Sequence, residues 1–210
     1  MKYRLVMFDF DGTLADSFAW FLGVLDELAV KYKFKRLSSE ELESLRSESA
    51  ATVLARTGVS RWKLPSIGRH IHKLAARDAE RIQLFPGVAE MLRLLDERGA
   101  ILSIVSSSKE ANIRRILGEE NAARIRFWEG GAALFGKRTR IRRVLRKAGV
   151  KPAEALYVGD EVRDLEAARA EGVAFGAVSW GFTRFETLQS HQPEAAFATA
   201  DELTKFVVGF

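Results

Sequence analysis

Two pairs of aspartates in this chain could carry out chemistry together. Asp9 and Asp11 lie in the stretch DFDGT, and Asp160 and Asp164 lie in the stretch GDEVRD. Clustered carboxylates repel one another, which raises their pKa values unless a cation shares the site. Carboxylate oxygens suit Mg²⁺, which commonly serves phosphate substrates, and no neighbouring histidine or cysteine suggests zinc. The two pairs are therefore candidates for a magnesium site that handles a phosphate.

A serine hydroxyl and a lysine amino group also lie at the ends of predicted elements, as the aspartates do. Ser106 begins a run of three serines, and Lys137 begins a predicted helix directly after the small-residue stretch AALFG. Each motif by itself has a simpler explanation. An aspartate pair or a serine run can cap a turn or a helix, and a lysine usually lies on the surface. The occurrence of all of them at the ends of predicted elements favours the chemical interpretation.

The elements that must position these residues alternate between strands and helices. Apolar runs predict strands at residues 4–8, 100–106, 125–128, 155–159, 173–179 and 195–198. Helical periodicity predicts helices at 87–97, 109–117, 137–148, 162–171 and 201–208. This order predicts a Rossmann-like α/β core, a parallel sheet with helices on both faces. Ligands bind outside the carboxyl ends of such strands, where Asp9, Ser106 and Asp160 fall.

Residues 15–85 follow a different pattern, because their apolar positions recur at steps of three and four. Helices are predicted at 16–32 with Asp16 or Ser17 as its cap, at 39–46 after Ser38, at 49–57 and at 66–82. We find no convincing strand in this stretch. We therefore expect a core made of residues 1–14 and 86–210, and an all-helical cap of residues 15–85 inserted after the first strand.

Composition limits the class of protein. The chain has 210 residues, of which 47% are hydrophobic and 29% charged, as expected for a globular domain. It has no cysteine, which excludes disulfides and thiolate metal sites. No apolar run approaches the roughly 18 residues that a membrane span needs. We expect no signal peptide, because carboxylates end the first apolar run too early. We expect a cytoplasmic protein, monomeric or homodimeric, with no membrane partner.

The net charge is +5, and basic residues are densest in the segment KRTRIRRVLRK at residues 137–147. Its apolar residues recur at helical spacing, which indicates one core face and one solvated basic face. The alternative is a nucleic-acid footprint, but no aromatic side chains interleave with the arginines, as a single-strand binder would need. We favour the solvated face and expect no nucleic-acid partner.

The motifs DFDGTLADS and GDEVRDLEAA, in this order and with Ser106 and Lys137 between them, resemble the four motifs of the haloacid dehalogenase superfamily. Within the superfamily, the chain resembles phosphatases of the phosphoglycolate phosphatase and β-phosphoglucomutase type. The likeness covers essentially the whole chain, including a helical cap after the first motif.

The resemblance implies catalytic roles for four residues. Asp9 matches the nucleophile, which forms an aspartyl-phosphate. Asp11 matches the general acid, which protonates the leaving oxygen and then activates water. Ser106 matches a hydroxyl that hydrogen-bonds the phosphoryl group, and Lys137 matches the cation that neutralises its charge. Dehalogenases of the superfamily lack the second aspartate, so Asp11 indicates phosphate rather than halide chemistry.

The resemblance also implies how a metal and a phosphate are held. Mg²⁺ would be bound by the carboxylates of Asp9 and Asp160 and by the backbone carbonyl of Asp11. Asp164 would hold the lysine or the metal's waters, and Glu161 is a looser candidate for the same role. The phosphate-binding residues implied are Gly12, Thr13, Ser106, Ser107 and Lys137.

The expected function is a Mg²⁺-dependent phosphatase acting on a small phosphorylated metabolite, with phosphoglycolate as the first candidate. One alternative is a sugar phosphomutase, which uses the same two aspartates. Another is a non-catalytic member, which would lack the nucleophile or the lysine, or a nucleic-acid-binding member, for which the basic helix 137–148 is the only support. Specificity candidates in the cap are Arg46, Arg56, Trp62, Lys63, Arg69, His70 and His72. A surface or packing role is the simpler interpretation of each. Trp180-Gly181-Phe182 is a further specificity candidate, with a turn between packed aromatic rings as its simpler interpretation.

Overall fold

The computed structural model describes residues 1–46, 56–131 and 136–209. The strands in this part of the chain are β1 (Leu5–Phe8), β2 (Ala15–Asp16), β3 (Gln83–Leu84), β4 (Ile101–Val105), β5 (Ile125–Glu129), β6 (Ala155–Gly159), β7 (Ala174–Val178) and β8 (Ala195–Phe197). The helices are α1 (Phe18–Tyr32), α2 (Ser39–Leu45), α3 (Leu64–Arg77), α4 (Val88–Glu97), α5 (Glu110–Arg124), α6 (Lys137–Ala148), α7 (Val162–Arg169), α8 (Phe185–Ser190) and α9 (Ala200–Val208).

Six strands form one parallel sheet in the order β5-β4-β1-β6-β7-β8. β1 lies near the centre, with Phe8 paired to Ile104 of β4 and to Val158 of β6. These three strands therefore end at the same edge of the sheet. The predicted α/β fold with a Rossmann-like parallel sheet is confirmed.

Helices cover both faces of this sheet, and β1 shows why its sequence is apolar throughout. Val6 and Phe8 pack into a cluster with α4, α5 and α9, whereas Leu5 and Met7 pack into a second cluster with α6 and α7. All four side chains are fully buried. A strand buried on both faces has no polar alternation, because neither of its faces meets water.

The segment between β1 and α4 contains helices α1, α2 and α3, as its periodicity predicts. Val24, Leu28 and Leu74 form a small apolar cluster between α1 and α3. Ser38 caps α2 with a capping box, as predicted. Ser17 stands at the start of α1, but its hydroxyl makes no capping bond, because its backbone is helical (φ −95°, ψ −2°) rather than extended.

The prediction that residues 15–85 contain no strand is wrong. β2 and β3 pair antiparallel at the two ends of the segment, with Ala15 opposite Leu84. Two-residue strands carry too little alternation to be seen in a sequence. The helix predicted over 66–82 ends at Arg77, before β3. The helix predicted over 49–57 falls mostly on residues 47–55, which lie outside the described residues. The division into core and cap at residues 15 and 85 stays a prediction.

The basic face of α6 is exposed and its apolar face is buried, as the periodicity predicts, and the structure adds that the exposed basic side chains are paired with carboxylates. Arg138 and Arg142 both bind Glu171, at 2.5 and 2.8 Å. Arg143 and Lys147 both bind the buried Glu129, at 2.7 and 2.8 Å. Four of the basic side chains thus neutralise carboxylates of the protein itself.

In the part of the chain that the structure describes, none of the helices is both long and apolar enough to cross a membrane.

Candidate active site

Asp9 lies directly after β1, at the shared edge of the central strands. Its backbone N–H donates to Val158 O (2.9 Å), which continues the ladder to β6 for one residue past the strand. Its Oδ1 accepts from the backbone N–H of Phe10 at 2.7 Å. The other carboxylate oxygen, Oδ2, accepts a hydrogen bond from Lys137, and the side chain is almost fully buried. The fold thus holds one carboxylate with a fixed orientation at the end of β1.

Lys137, the first residue of α6, joins this carboxylate to a second one. Its Nζ donates to Asp9 Oδ2 at 2.7 Å and to Asp164 Oδ1 at 2.5 Å. Burial lowers the pKa of Lys137, but Asp164 and Asp9 outweigh burial and hold the pKa well above its ordinary value. Burial raises the pKa of Asp9, but Lys137 and Arg163 bring it below its ordinary value. The geometry therefore favours an ammonium beside an ionised Asp9.

Asp160 follows β6 and is completely buried. Its Oδ1 accepts from Thr13 Oγ1 (2.7 Å), and its Oδ2 accepts from the backbone N–H of Phe182 (2.8 Å). Burial, together with the charges of Glu161 and Asp9, raises the pKa of Asp160 to about 8. A side chain at Gly12, whose φ is +77°, would overlap the Asp160 carboxylate. Close backbone approach to this carboxylate therefore requires the glycine of the first motif.

Oxygens of Asp9, Asp160 and Asp164 lie within 4.8 Å of one another. Asp164 is fully buried, and its Oδ2 has no hydrogen-bond partner. An orphaned buried carboxylate oxygen and a raised pKa at Asp160 are the features that a bound cation would relieve. The all-oxygen donor set fits Mg²⁺. The carboxylate of Glu161 is instead paired with Arg163 and lies outside this cluster.

The carboxylate of Asp11 is not a member of this cluster. Its Oδ2 accepts from Ser108 Oγ at 2.6 Å. Burial and the charge of Asp9 raise the pKa of Asp11, and the Ser108 hydrogen bond opposes that change. The two aspartates of the first motif are thus separated in environment: Asp9 faces a cation, and Asp11 faces a hydroxyl.

Ser106, buried at the end of β4, accepts from the backbone N–H of Ser108 at 3.1 Å, and Ser107 between them is half-buried. Arg140 fixes this turn, since its guanidinium donates to Ser106 O and to Gly131 O, both at 2.6 Å. Arg140 stands one turn after Lys137 on α6. One helix therefore positions both the lysine and the serine turn.

Sequence reasoning missed the parts played by Ser108, Arg140, Phe182 and Arg163. Ser108 was visible only as the third member of the serine run, and Arg140 only as one arginine of a basic helix. The Phe182 contact is made by a backbone N–H, which leaves no trace in the residue type. Arg163 stands inside the motif GDEVRD, but its spacing carries no signal of its role.

The candidate specificity residues between positions 46 and 72 lie in different environments. Trp62 is 92% exposed, His72 is buried, and His70 packs beside Tyr32 and Glu27. Arg46 contacts the loop after β7, which contains Trp180, Gly181 and Phe182. Lys63 donates to Tyr32 O (2.7 Å), and Arg56 and Arg69 are exposed.

Comparison with known proteins gives a consistent result. A family profile for haloacid dehalogenase-like hydrolases matches residues 6–178. A phosphoglycolate phosphatase of Synechococcus elongatus is 31% identical over 205 residues, which cover 97% of each chain. A phosphoglycolate phosphatase of Pseudomonas savastanoi is 29% identical and covers 98% of this chain and 79% of its own. The structure of a haloacid dehalogenase-like hydrolase from Streptococcus pneumoniae superposes with a TM-score of 0.81 at 20% identity, covering 98% of each chain.

The family profile and the 31% identical relative show that the chain, with its parallel sheet and acidic cluster, belongs to the haloacid dehalogenase-like hydrolase family. Within that family it is a hydrolase of the phosphatase class, as are the curated relatives. The resemblance that the sequence motifs indicated is confirmed.

Proposed function

We propose that the protein hydrolyses a small phosphate monoester with the help of Mg²⁺, by way of a phosphorylated Asp9. The observation that carries this proposal is the placement of the Lys137 ammonium between the carboxylates of Asp9 and Asp164. This arrangement leaves Asp9 oriented and ionised beside a fixed positive charge. A fixed charge of this kind stabilises the negative charge that develops during phosphoryl transfer.

In the first half-reaction, Asp9 Oδ attacks phosphorus, and the bond between phosphorus and the ester oxygen breaks. Asp11 gives its proton to the departing alkoxide, and its raised pKa favours the protonated form that this step needs. In the second half-reaction, Asp11 takes a proton from water, which attacks the phosphorus of the acyl phosphate. Inorganic phosphate leaves, and Asp9 is regenerated.

The remaining residues bind and orient. The Ser106 hydroxyl and the N–H groups of the 106–108 turn would bind phosphoryl oxygens, with Gly12, Thr13 and Ser107 beside them. Asp9, Asp160 and the Asp11 carbonyl would hold Mg²⁺, which supplies positive charge to the phosphoryl oxygens when bound. Asp164 keeps Lys137 in place, and Glu161 restrains Arg163 nearby.

Phosphoglycolate is the first substrate to test, because the two curated relatives described above carry phosphoglycolate phosphatase in their names. The purified protein should release inorganic phosphate from p-nitrophenyl phosphate with Mg²⁺ and stop when EDTA is added. A panel of phosphorylated metabolites, phosphoglycolate included, would then identify the natural ester. Absence of turnover on every ester would contradict the proposal, and an isomerised sugar phosphate as product would indicate a mutase.

The division of labour between the two aspartates can be tested separately. Asp9→Asn should abolish turnover, because no acyl phosphate can form. Asp11→Asn should slow the pre-steady-state burst by roughly 10²–10⁴ on an alkyl phosphate, and much less on p-nitrophenyl phosphate, whose leaving group needs no proton. An equal loss on both esters would show that Asp11 is not the general acid.

A further inference from the structure

The loop after β7 sets the position of Asp160. The backbone N–H of Phe182 donates to Asp160 Oδ2 at 2.8 Å. Gly181 lies so close to Asp160 that a Cβ on it would overlap the carboxylate. The orientation of the peptide between Gly181 and Phe182 therefore determines where one oxygen of Asp160 can lie.

Arg46, the residue after α2, holds the same peptide from the opposite side. Its Nη2 donates to Gly181 O at 2.7 Å, and its Nε donates to Phe182 O at 2.7 Å. Gly181 O and the Phe182 N–H belong to one peptide group. A single peptide plane is thus fixed between the Arg46 guanidinium and the Asp160 carboxylate, and hydrogen bonds in such a chain strengthen one another.

The contact joins two parts of the chain that are 135 residues apart. The guanidinium lies over the ring of Phe18 (5.1 Å to its centroid), and that ring packs on Phe182 at 5.2 Å. The backbone N–H of Arg184 donates to Arg46 O at 3.3 Å. Arg46 keeps these contacts only while α1 and α2 lie against the loop after β7.

We propose that Arg46 is a positioning residue that couples closure of the helical segment to assembly of the metal site. With α2 against the core, Arg46 orients the Gly181–Phe182 peptide, whose N–H holds Asp160 in place for Mg²⁺. When α2 moves away, the peptide loses this restraint, and the Asp160 carboxylate is no longer fixed. By thermodynamic linkage, metal binding then favours the closed arrangement to the same extent. The inference rests on the proposed magnesium-dependent function.

The first test measures metal binding without turnover. Mn²⁺, used as the probe, is titrated into the purified protein and followed by its free-ion electron paramagnetic resonance signal. Arg46→Ala should weaken Mn²⁺ binding about fivefold or more, within the usual range of coupling between sites. Arg184→Ala is the matched control, because Arg184 is an exposed cation that bonds Glu43 across the same interface and does not contact Asp160. It should leave Mn²⁺ binding within about twofold of the wild type.

The second test measures closure directly. The chain has no cysteine, so Glu40→Cys on α2 and Gln189→Cys on α8 give a unique pair of label sites for energy transfer. Mg²⁺ should shorten the distance between the labels in otherwise wild-type protein and leave it unchanged in Arg46→Ala. Arg46→Lys keeps the charge but not the planar fork, and it should weaken Mn²⁺ binding by a smaller factor than alanine. Arg46→Lys carries the test if Arg46→Ala does not fold.

The outcomes separate this inference from the function on which it rests. Wild-type protein that binds no Mn²⁺ would overturn the metal-dependent function and the coupling together. If folded Arg46→Ala binds Mn²⁺ as tightly as the wild type and shows the same distances between the labels, the coupling alone is overturned. Equal losses in Arg46→Ala and Arg184→Ala would also overturn it, because general weakening of the interface would then explain the effect.

Discussion

Lys137 is an ammonium bonded to two carboxylates of the candidate site. It lies within 2.7 Å of an oxygen of Asp9 and of Asp164, both of which are buried. A buried ion pair is costly to break, because the remaining charge has neither water nor a partner. Catalysis and stability are therefore linked at this one side chain.

Lys137→Met tests that link. Turnover should fall by at least about 100-fold, since a preorganised charge is lost, and the metal-free protein should be destabilised by about 3–5 kcal/mol. Steady-state kinetics and chemical denaturation measure the two effects. Because Mg²⁺ supplies charge of the same sign, saturating Mg²⁺ should recover part of the stability but little of the activity. Unchanged stability without metal would contradict the ion-pair assignment.

Ser108 is the second residue-scale case, because its hydroxyl fixes the carboxylate of Asp11. Ser108→Ala should lower the burst rate on an alkyl phosphate by about tenfold, which is below the loss expected from removing the acid itself. The measurement is the pre-steady-state burst, with p-nitrophenyl phosphate as the control ester. If both esters slow equally, Ser108 does not act through Asp11.

Among the elements, α1 and α3 are connected by a hydrogen bond to one aspartate in addition to their apolar contacts. Asp78, at the end of α3, accepts from Arg77 Nε at 2.7 Å and from Trp20 Nε1 of α1 at 3.1 Å. The Arg77 hydrogen bond, with that of Trp20, lowers the pKa of Asp78 from its ordinary 3.8 to about 2. A carboxylate with a lowered pKa stabilises the fold above its unfolded-state pKa, and that contribution is lost as pH falls through the folded value.

Asp78→Asn should therefore lower the melting temperature by about 3 °C at pH 7, as expected for the loss of about 1 kcal/mol in a chain of this length. The difference from wild type should persist at pH 5 and shrink as the pH falls from about 4 towards 2, because the wild-type carboxylate then becomes protonated. Thermal melts at pH 7, 5 and 3 measure the effect. A difference that does not change with pH would mean that charge at Asp78 contributes nothing.

At the scale of the whole molecule, the site gathers its charges from elements far apart in sequence. Asp9, Asp160 and Asp164 come from the ends of β1 and β6 and from the first turn of α7, and Lys137 comes from α6. Even with Lys137 among them, the three buried carboxylates repel one another when no metal ion is bound. The folded chain is thus expected to gain stability when Mg²⁺ binds, since the unfolded chain has no such site.

Mg²⁺ at 100 times its dissociation constant should stabilise the wild-type fold by about 2.7 kcal/mol and raise its melting temperature by about 5 °C or more. Asp160→Asn should lose most of this gain. Without metal it should melt no lower than wild type at pH 7, because burial raises the pKa of the Asp160 carboxyl to about 8 and thus makes its ionisation costly to the folded state, a cost that asparagine does not carry. Scanning calorimetry with and without Mg²⁺ measures both. A gain of wild-type size in Asp160→Asn would contradict its assignment as a ligand.

The sequence by itself determined the elements whose patterns are local. The bounds of β6 (Ala155–Gly159) and α6 (Lys137–Ala148) are those predicted, because an apolar run and a 3.6-residue period are complete within each element. The motif residues at the ends of β1, β4 and β6 could also be found, since parallel strands bring their carboxyl ends to one edge. The family and the candidate catalytic residues follow from these local signals.

Only the tertiary structure decided which side chains meet across long separations in the chain. Three hydrogen bonds are examples: Ser108 to Asp11, Arg46 to Gly181 O, and Arg143 to Glu129. They join residues that are 97, 135 and 14 positions apart. β2 and β3 are too short to carry a period of their own and exist only because they pair. Such contacts depend on the path of the folded chain, whereas the spacing of residues in the sequence indicates only the local structure within one element.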